Sequence, residues 1–436
     1  MKHLAVQHRE KFMIQTLKKY NFWDATVKGT GITRPIYLDQ LARLNTGKTI
    51  VTVTGLRRVG KSFIVRQFMD HLIRQMKVPP CQIFYANLFL RELGFLRDPD
   101  RFQEAVTSWQ KNLNVDTGQR MYLFIDEVQE IKDWEKLVGS FFEDYTAEYK
   151  IIITGSNSKL LSGELATYLA GRSHELRVFP LSFTEFCAFT QQDGTRENLL
   201  TYLTHGGMPE IVLADNHFAR NNLIETTIDS VIMRDIVARY EIRNVRLLKK
   251  IVEYVSASAS DEVSRNKMAH LIDESGKRAS VHTVSDYLEC LKEAFFIHEC
   301  PVFSHKKNDY LKSGPRKIYL NDLVFMKKDQ RFGGYGKQLE NLVYMTLKRK
   351  GFTISTVRTG KGEVDFLSQK NGDRAYYQVA WTINDPGSET YCREFESLLS
   401  IQDHYPKHII TMDDLPLPPR KGIRHIPALD FFSSDK

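Results

Sequence analysis

Apolar residues in the first part of the chain form short continuous runs, and the run at 50–53 is followed by a helically spaced stripe. The runs at residues 50–53, 121–125 and 151–153 have the length typical of buried strands. After the first run, apolar residues return at intervals of three and four, as in an amphipathic helix. These residues are Ile64, Val65, Phe68, Met69 and Leu72. The alternation of strands and helices predicts an α/β fold with a parallel sheet.

The segment TGLRRVGKSFI, residues 54–64, links the first predicted strand to the first predicted helix. It contains the pattern G-x-x-x-x-G-K-S, whose glycines let successive backbone N–H groups point toward phosphate oxygens at a helix N-terminus. We predict that Lys61 reaches the β and γ phosphates and that the Ser62 hydroxyl binds Mg²⁺. The full predicted nucleotide-binding segment is Gly55, Leu56, Arg57, Arg58, Val59, Gly60, Lys61, Ser62 and Phe63. The alternative is a chance glycine turn, which the strand–loop–helix context disfavours.

An acidic pair, Asp126-Glu127, follows the second apolar run. Asp126 at the strand tip is predicted to hold Mg²⁺, and Glu127 is predicted to activate the attacking water as a general base. The alternative is an ordinary acidic strand end, but the upstream loop favours the catalytic interpretation. The glutamate also favours a hydrolase over a nucleotide kinase. No N-K-x-D segment for guanine occurs, since NKMA at 266–269 lacks the aspartate, so ATP is the predicted nucleotide.

Two further polar features follow along the chain. The third run leads into Ser156 and Asn157, and either side chain would lie beside the γ-phosphate and orient water if this strand is part of the same parallel sheet. Arg172 precedes another predicted strand and is a candidate arginine finger for a neighbouring subunit. The alternatives are a plain turn after the strand and a solvated arginine.

Four segments together resemble the AAA+-type ATPases of bacteria and archaea. They are TGLRRVGKS, LFIDEVQEIKDWEKLV, IIITGSNSKLL and LAGRSHELRVFPLSFTEF. The resemblance implies ATP binding and hydrolysis on a sheet whose central strand leads into the phosphate loop, together with a helical lid. The chain is most similar to a large group of ATP-binding proteins whose C-terminal region is poorly understood. The resemblance implies no particular physiological substrate.

Composition limits the class of protein without identifying a partner. The chain has 436 residues, of which 42% are hydrophobic and 26% charged, so two or three globular domains are expected. The five cysteines form no C-x-x-C pair, and no apolar signal core or 18-residue apolar run occurs. A cytoplasmic protein with no membrane partner is therefore expected. The net charge of +8 permits a DNA or RNA partner, and a protein partner or a homo-oligomer stays open.

The order of predicted elements divides the chain into five regions. They are an N-terminal helical extension at 1–47, an AAA+ P-loop ATPase core at 48–185, a helical lid at 186–240, a winged-helix-like domain at 241–325 and a nuclease-like domain at 330–436. The predicted fold class is thus α/β: an AAA+-like P-loop parallel sheet with a helical lid, then a winged-helix-like segment and a small α/β nuclease-like domain.

The winged-helix prediction rests on a short helix, a turn, a longer helix and two strands within 266–322. The longer helix has a natural N-cap in Ser280. The stripe expected to face a core is Val281, Val284, Leu288, Leu291 and Phe295. The candidate DNA contacts are Ser280, His282, Thr283 and Asp286 on the helix and Lys306 and Lys307 on the wing. The alternative is a module for protein contacts, because Asp286 and Glu289 would face outward and repel phosphate.

The order helix, three strands, helix, strand predicted for 336–412 is similar to the PD-(D/E)XK nuclease fold. The resemblance places Glu340 and Asp365 at acidic positions of that family and implies a second metal site there. The family's next motif, E-x-K, is replaced by Gln378-Val379-Ala380, which supplies neither a carboxylate nor a lysine. We therefore predict a domain that is nuclease-like in fold but poor or inactive as a nuclease, unless Lys361 supplies the ammonium.

Three functions are compatible with these patterns. The first is an ATPase that acts as a switch or motor on an unidentified macromolecular partner, which the complete phosphate loop and acidic pair favour. The second is a nucleic-acid-directed ATPase that binds DNA through the winged helix, which the net positive charge favours. The third is an ATP-gated nuclease, which the sequence at 378–380 disfavours.

Overall fold

The computed structural model describes residues 2–158, 171–270, 279–311, 314, 316–327, 335–360, 362–385 and 388–434, so Lys361 lies outside the described residues. The chain divides into two compact units, Met1–Val178 and Phe179–Lys436. This division lies slightly before the boundary predicted at residue 185. Residues 186–240, predicted as a lid, therefore belong to the second unit. The finer domain boundaries stay predictions.

A parallel sheet forms the centre of the first unit, as the alternating pattern predicts. Its strands are β1 (Ile50–Thr54), β2 (Ile83–Asn87), β3 (Met121–Asp126), β4 (Tyr149–Gly155) and β5 (Ser173–Arg177). The spatial order is β2-β3-β4-β1-β5, so the strand that leads into the phosphate loop has a neighbour on each side. Strands β1, β3 and β4 are buried along their whole length, which explains their continuous apolar sequences.

Helices cover both faces of this sheet. They are α1 (Lys2–Tyr20), α2 (Pro35–Leu44), α3 (Lys61–Arg74), α4 (Pro99–Asn112) and α5 (Trp134–Glu143), with 3₁₀ turns at Pro80–Gln82, Arg91–Arg97 and Val128–Glu130. Leu123 and Ile125 of β3 share a core with Trp109 of α4. Phe124, between them, points to the other face and contacts Phe68 of α3, with ring centroids 6.4 Å apart. Alternate residues of β3 thus pack into the hydrophobic cores on opposite faces of the sheet.

The register of the parallel strands brings the predicted site residues to one edge of the sheet. Thr54 at the end of β1 pairs with Gly155 at the end of β4. Asp126 at the end of β3 pairs with Asn87 at the end of β2. Since β3 also pairs with β4, all four strands present their carboxyl ends on the same side. This edge is where parallel α/β sheets bind ligands.

In the residues that the structure describes, the second unit contains many helices and two sheets. Its helices are α6 (Phe183–Thr190), α7 (Arg196–His205), α8 (Pro209–Val212), α9 (His217–Ser230), α10 (Ala238–Tyr240), α11 (Val245–Ala257), α12 (Arg265–Ala269), α13 (Val281–Glu293), α14 (Gly336–Arg349), α15 (Glu389–Leu399) and α16 (Ala428–Ser433). A π-helix at Val231–Val237 lies between α9 and α10, and a 3₁₀ turn lies at Leu323–Phe325. Helices of the predicted lid share a core with α14, since Phe186, Leu199 and Tyr202 cluster with Leu339 and Leu342.

The strands of the second unit form a seven-stranded and a three-stranded sheet. They are β6 (Glu262–Val263), β7 (Ile297–Cys300), β8 (Val302–Ser304), β9 (Asp309–Tyr310), β10 (Arg316–Leu320), β11 (Thr353–Arg358), β12 (Glu363–Lys370), β13 (Asp373–Val379), β14 (Lys407–Thr411) and β15 (Ile423–Pro427). The larger sheet has the order β15-β14-β13-β12-β11-β8-β9. The predicted succession of helix, three strands, helix and strand is present as α14, β11, β12, β13, α15 and β14. The likeness of this order to a nuclease stays a prediction.

Strand β15 and helix α16 extend the larger sheet beyond the predicted elements, after the loop-rich segment DDLPLPPRKG. The tight turn KNGD between β12 and β13 is present, and Asn371 and Gly372 both have positive φ, at 52° and 93°. This is the backbone that a two-residue hairpin loop requires.

The three-stranded sheet has the order β6-β10-β7 and lies next in sequence to helices α12 and α13. The Ser280 hydroxyl accepts a bond from the Thr283 amide at 3.0 Å, which confirms the predicted cap of α13. Two details differ from the prediction. Val281, placed in the buried stripe, is exposed, and Phe295 is buried but lies beyond the end of the helix. Residues 306 and 307 lie between β8 and β9, and β8 pairs with β11 of the larger sheet.

Candidate functional site

The backbone of the phosphate loop is curled by three residues with positive φ. These are Gly55 at 147°, Arg58 at 67° and Gly60 at 98°. A Cβ atom on Gly55 would overlap the carbonyl oxygen of Val178, so glycine is required there. Arg58 has a Cβ and adopts the left-handed region nonetheless, a conformation that costs roughly 1–3 kcal/mol and is concentrated at functional sites. Curled backbone of this kind forms a concavity that binds anions.

Lys61 lies within this loop, at the first position of α3. Its ammonium donates to the carbonyl oxygens of Gly55 at 2.9 Å and Leu56 at 3.1 Å, and the residue is 5% exposed. Gly60 is the N-cap of α3, so the loop ends where the helix dipole is positive. Ser62 follows in the first helical turn and is half-buried. The loop therefore combines an ammonium, a helix N-terminus and a hydroxyl, as the motif predicts.

The Asp126 carboxylate is fixed by hydrogen bonds from both neighbouring strands. Thr154 of β4 donates its hydroxyl to Oδ1, and Tyr85 of β2 donates its phenol to Oδ2 at 3.0 Å. The Thr154 hydroxyl oxygen also accepts the Glu127 amide at 2.9 Å. One threonine thus positions both members of the acidic pair. Neither Thr154 nor Tyr85 was identifiable as a site residue, because each occurs in an otherwise ordinary strand sequence.

Glu127 is held in a strained and nearly dry position. Its φ is 60° and it is 7% exposed, while Gln129 donates its side-chain amide to Oε2. Burial raises the pKa of the Glu127 carboxyl, attraction by Lys61 lowers it, and repulsion by Asp126 raises it, with a net rise. A raised pKa makes this carboxylate a better proton acceptor than a solvated glutamate.

Asn157 and Arg172 lie at opposite edges of the sheet. Ser156 and Asn157 follow β4 directly and are buried beside the edge that carries the phosphate loop. The Arg172 carbonyl accepts the amide of Ile50, the first residue of β1, at 2.9 Å, and its guanidinium pairs with Glu143. Five residues of β1 separate Arg172 from the loop, which is roughly 16 Å. Arg172 thus does not approach the phosphate loop of its own chain.

Arg34 is a candidate site residue that sequence reasoning missed. It is 2% exposed, and its Nη1 donates to the carbonyl oxygen of Val59 in the phosphate loop at 3.0 Å. Gln67 of α3 donates to the carbonyl oxygens of Thr30 at 2.6 Å and Ile32 at 2.8 Å. The segment before α2 is thereby fastened to the loop and to α3. Its sequence signal is weak, because an arginine before Pro35 resembles an ordinary helix start.

Replacing Arg34 with alanine is expected to weaken ATP binding by about tenfold or more, since the Val59 carbonyl loses a charged donor worth roughly 1.5–3 kcal/mol. Titration with a fluorescent ATP analogue measures the affinity, and thermal melting checks the fold. The exposed Arg43 on α2 provides the matched control, because Arg43→Ala should bind ATP as the wild type does. Unchanged affinity in Arg34→Ala would show that the contact does not shape the loop.

The donor atoms at this edge suit Mg²⁺. The Ser62 hydroxyl and the Asp126 carboxylate are hard oxygen ligands of the kind that Mg²⁺ prefers. Bound by these residues, Mg²⁺ would neutralise charge on the β and γ phosphates. Among the described helices, none is both long and apolar enough to cross a membrane.

The two carboxylates predicted as a second metal site lie together in the second unit, but a lysine lies between them. Lys317 Nζ is 2.9 Å from Glu340 Oε1 and 3.0 Å from Asp365 Oδ1. The lysine comes from β10, not from the strand where the nuclease family carries its own. Within the part of the chain that the structure describes, no group of three or more His, Cys, Asp or Glu side chains is arranged as a metal site.

The parallel sheet, the curled loop at its carboxyl edge and the adjacent acidic pair define a P-loop nucleotide-binding protein. The family model described as an AAA domain matches residues 47–187, which agrees with the predicted AAA+ type. A second model, described only as a domain of unknown function, matches residues 196–326.

Two relatives extend over most of the chain. An uncharacterized protein of Haemophilus influenzae is 30% identical over 385 residues, which cover 87% of this chain and 93% of that protein. An uncharacterized protein of Methanocaldococcus jannaschii is 31% identical over 382 residues, covering 84% of this chain and 82% of its own. The chain belongs to the same family as these two proteins, and its AAA domain lies in the N-terminal half.

Solved structures with partial likeness include a Walker-type ATPase of Pyrococcus abyssi, with 17% identity, a TM-score of 0.38 and coverage of 67% of this chain and 94% of that chain. The ORC1 protein of Aeropyrum pernix in complex with DNA has 13% identity, a TM-score of 0.34 and coverage of 70% and 94%. The RuvB branch migration motor of Thermotoga maritima has 16% identity, a TM-score of 0.32 and coverage of 62% and 90%. Likenesses this distant carry no information about what this chain binds.

Proposed function

We propose that this protein hydrolyses ATP with Mg²⁺ and uses the cycle as a switch or motor on a macromolecular partner. The observation that carries the proposal is the convergence of Lys61, Asp126, Glu127 and Asn157 at one edge of the sheet. Lys61 and the backbone amides bind the phosphates, and Ser62 and Asp126 hold Mg²⁺. Glu127 accepts a proton from the attacking water, and Asn157 orients that water.

Arg172 is proposed to act between subunits. Its position at the far edge of the sheet excludes a role at the phosphate loop of its own chain but suits an arginine that reaches a neighbouring copy. The side chain is half exposed, and its ion pair with Glu143 lies at the surface, where such pairs contribute little to stability. A homo-oligomer is therefore part of this proposal.

A nucleic-acid-directed ATPase is the second candidate, and one observation favours it. The hairpin between β8 and β9 presents Lys306 and Lys307 to solvent, in the same unit as α12 and α13. Against it, Asp286 and Glu289 on α13 are exposed, and Glu289 pairs with Lys292 at 2.6 Å. A phosphate backbone would meet mixed charge on this helix, so any binding should be weak and sequence-tolerant.

ATP turnover by the purified protein, measured with and without duplex and single-stranded DNA, tests both candidates. Mg²⁺-dependent hydrolysis is expected in all conditions, and no hydrolysis in any condition would refute the ATPase proposal. If DNA stimulates turnover, the stimulation should fall as salt rises and should be reduced in the double variant Lys306→Ala, Lys307→Ala. The matched control is Lys18→Ala, Lys19→Ala, which removes the same charge from exposed positions of α1. ATP turnover that is the same with and without DNA at low salt would exclude the nucleic-acid-directed ATPase.

The nuclease-like region is proposed to be catalytically degenerate. Phosphodiester hydrolysis needs a metal held by carboxylates and a cation that stabilises the developing charge. Gln378 is a neutral oxygen donor, and its side-chain amide donates to Glu394 of α15 while its Oε1 accepts the Asp365 amide at 3.2 Å. Ala380 offers no ammonium, and the ammonium that is present, that of Lys317, is bound by Glu340, Glu363 and Asp365. The region then serves as a docking or assembly module.

A further inference from the structure

Three carboxylates of the second unit converge on one ammonium group. Lys317 Nζ lies 2.7 Å from Glu363 Oε1, 2.9 Å from Glu340 Oε1 and 3.0 Å from Asp365 Oδ1. The lysine is on β10 of the three-stranded sheet, Glu340 is on α14, and the other two are on β12 of the larger sheet. Lysine has three N–H donors, and here each has its own carboxylate.

Two of the three carboxylates also accept hydrogen bonds from other groups. Tyr319 donates its phenol to Glu340 Oε1 at 2.7 Å, and the Val379 amide donates to Asp365 Oδ2 at 2.9 Å. These bonds hold the oxygens in place around the ammonium, so the arrangement does not depend on the lysine alone. Two of the three carboxylates are therefore held beside the ammonium by groups other than the lysine.

The Lys317 side chain is buried, since the residue is only 7% exposed. A buried charge is tolerated when it is fully paired and hydrogen-bonded, which is the case here.

A divalent metal bound by Glu340 Oε1 and Asp365 Oδ1 would use the oxygen atoms that now contact Nζ. Metal–oxygen distances of roughly 2.0–2.6 Å put the ion at the place that Nζ now fills. An ammonium and a divalent ion repel each other and cannot share that position. The residues present therefore do not fit the metal that a nuclease-like fold implies.

We propose that Lys317 is the resident cation of this cluster, taking the place of a divalent metal and joining β10 to α14 and β12. The cluster is thus a metal-independent bond between the smaller and the larger sheet of the second unit. This inference goes beyond the proposed ATPase and does not depend on it, because it concerns residues of the second unit only. It also explains why the nuclease-like sheet can lack an E-x-K motif and still keep Glu340 and Asp365: both carboxylates bind the lysine.

Titration with Mn²⁺ in the absence of nucleotide tests the proposal, with bound Mn²⁺ followed by electron paramagnetic resonance and melting temperature as a second readout. Wild type and Asp365→Asn should bind the same amount of Mn²⁺, since the cluster holds none. Lys317→Met should gain one site, lose it again when combined with Asp365→Asn, and melt at a higher temperature with Mn²⁺ than without. The matched control is Lys292→Met, because Lys292 also lies between two carboxylates, Glu289 and Glu299, but nearer the surface.

Three results would overturn the proposal. The first is a Mn²⁺ site in the wild type that Asp365→Asn abolishes. The second is a Lys317→Met variant that binds no additional Mn²⁺ although its circular dichroism spectrum shows that it is folded. The third is cleavage of supercoiled plasmid with ATP and Mn²⁺ by the wild type but not by Asp365→Ala. If Lys317→Met does not fold, the comparison of wild type with Asp365→Asn decides alone, and equal Mn²⁺ binding supports the proposal.

Discussion

Lys61→Ala is expected to lose tight ATP binding, with affinity reduced by about 100-fold or more. The ammonium lies inside the curled loop and donates to the carbonyls of Gly55 and Leu56. On binding, it would exchange these neutral acceptors for phosphate oxygens. Hydrogen bonds to charged groups contribute roughly 1.5–3 kcal/mol each, and two lost phosphate contacts give the expected factor.

Isothermal titration with ATP and Mg²⁺ measures this loss, and Lys48→Ala is the matched control. Lys48 precedes β1 and donates to the Asp144 carbonyl at 3.0 Å, at the opposite edge of the sheet from the phosphate loop. Its removal should leave ATP affinity unchanged. If Lys61→Ala binds ATP as tightly as Lys48→Ala does, the nucleotide does not bind at this loop.

The phosphate loop and the acidic pair could be predicted from sequence because each lies within one short segment. Glycines, a lysine and a serine between a strand and a helix determine the local backbone with little help from the rest of the fold. The edge at which β1, β3 and β4 end follows from their being parallel, so the position of Asp126 at the same edge as the loop was also predictable. Roles for Asn157 and Arg172 stay predictions.

The sequence contains no comparable motif for residues whose role depends on which helices and strands pack together. Arg34 contacts Val59 only because α2 packs beside α3, and Thr154 reaches the acidic pair only because β4 lies next to β3. Both depend on which elements are neighbours, and a local pattern does not state this. The register of the strands, not their sequences, makes Thr154 a site residue.

The cluster of Glu340, Glu363 and Asp365 around Lys317 likewise depends on which elements are neighbours, and a local pattern does not predict it. The sequence at 378–380 correctly indicates that its strand carries no lysine. The ammonium that lies beside Asp365 comes instead from position 317, 48 residues earlier. A search along one motif cannot find a group that arrives from another sheet. The hairpin of β8 and β9, which joins the larger sheet and not the smaller one, is missed for the same reason.

Glu127→Gln is expected to bind ATP normally but to hydrolyse it about 100-fold more slowly or worse, because an amide cannot accept the proton of the attacking water. The change keeps the size of the side chain and its place in the Gln129 contact. Single-turnover hydrolysis separates the chemical step from binding and product release. The matched control is Glu130→Gln, three residues along, whose carboxylate pairs with Arg97 at 3.3 Å and should be dispensable for turnover.

The pH dependence of turnover gives this assignment a second, independent check. Burial raises the pKa of the Glu127 carboxyl, so the native protein keeps this proton to a higher pH than an unfolded chain would. Only the ionised form accepts a proton, and turnover should therefore rise with pH through the raised pKa and fall below it. In Glu127→Gln the residual rate should no longer show this fall at low pH (the acid limb of the profile), whereas Glu130→Gln should retain it. A residual rate in Glu127→Gln that matches the wild type, or that keeps the same acid limb, would move the role of general base to another residue.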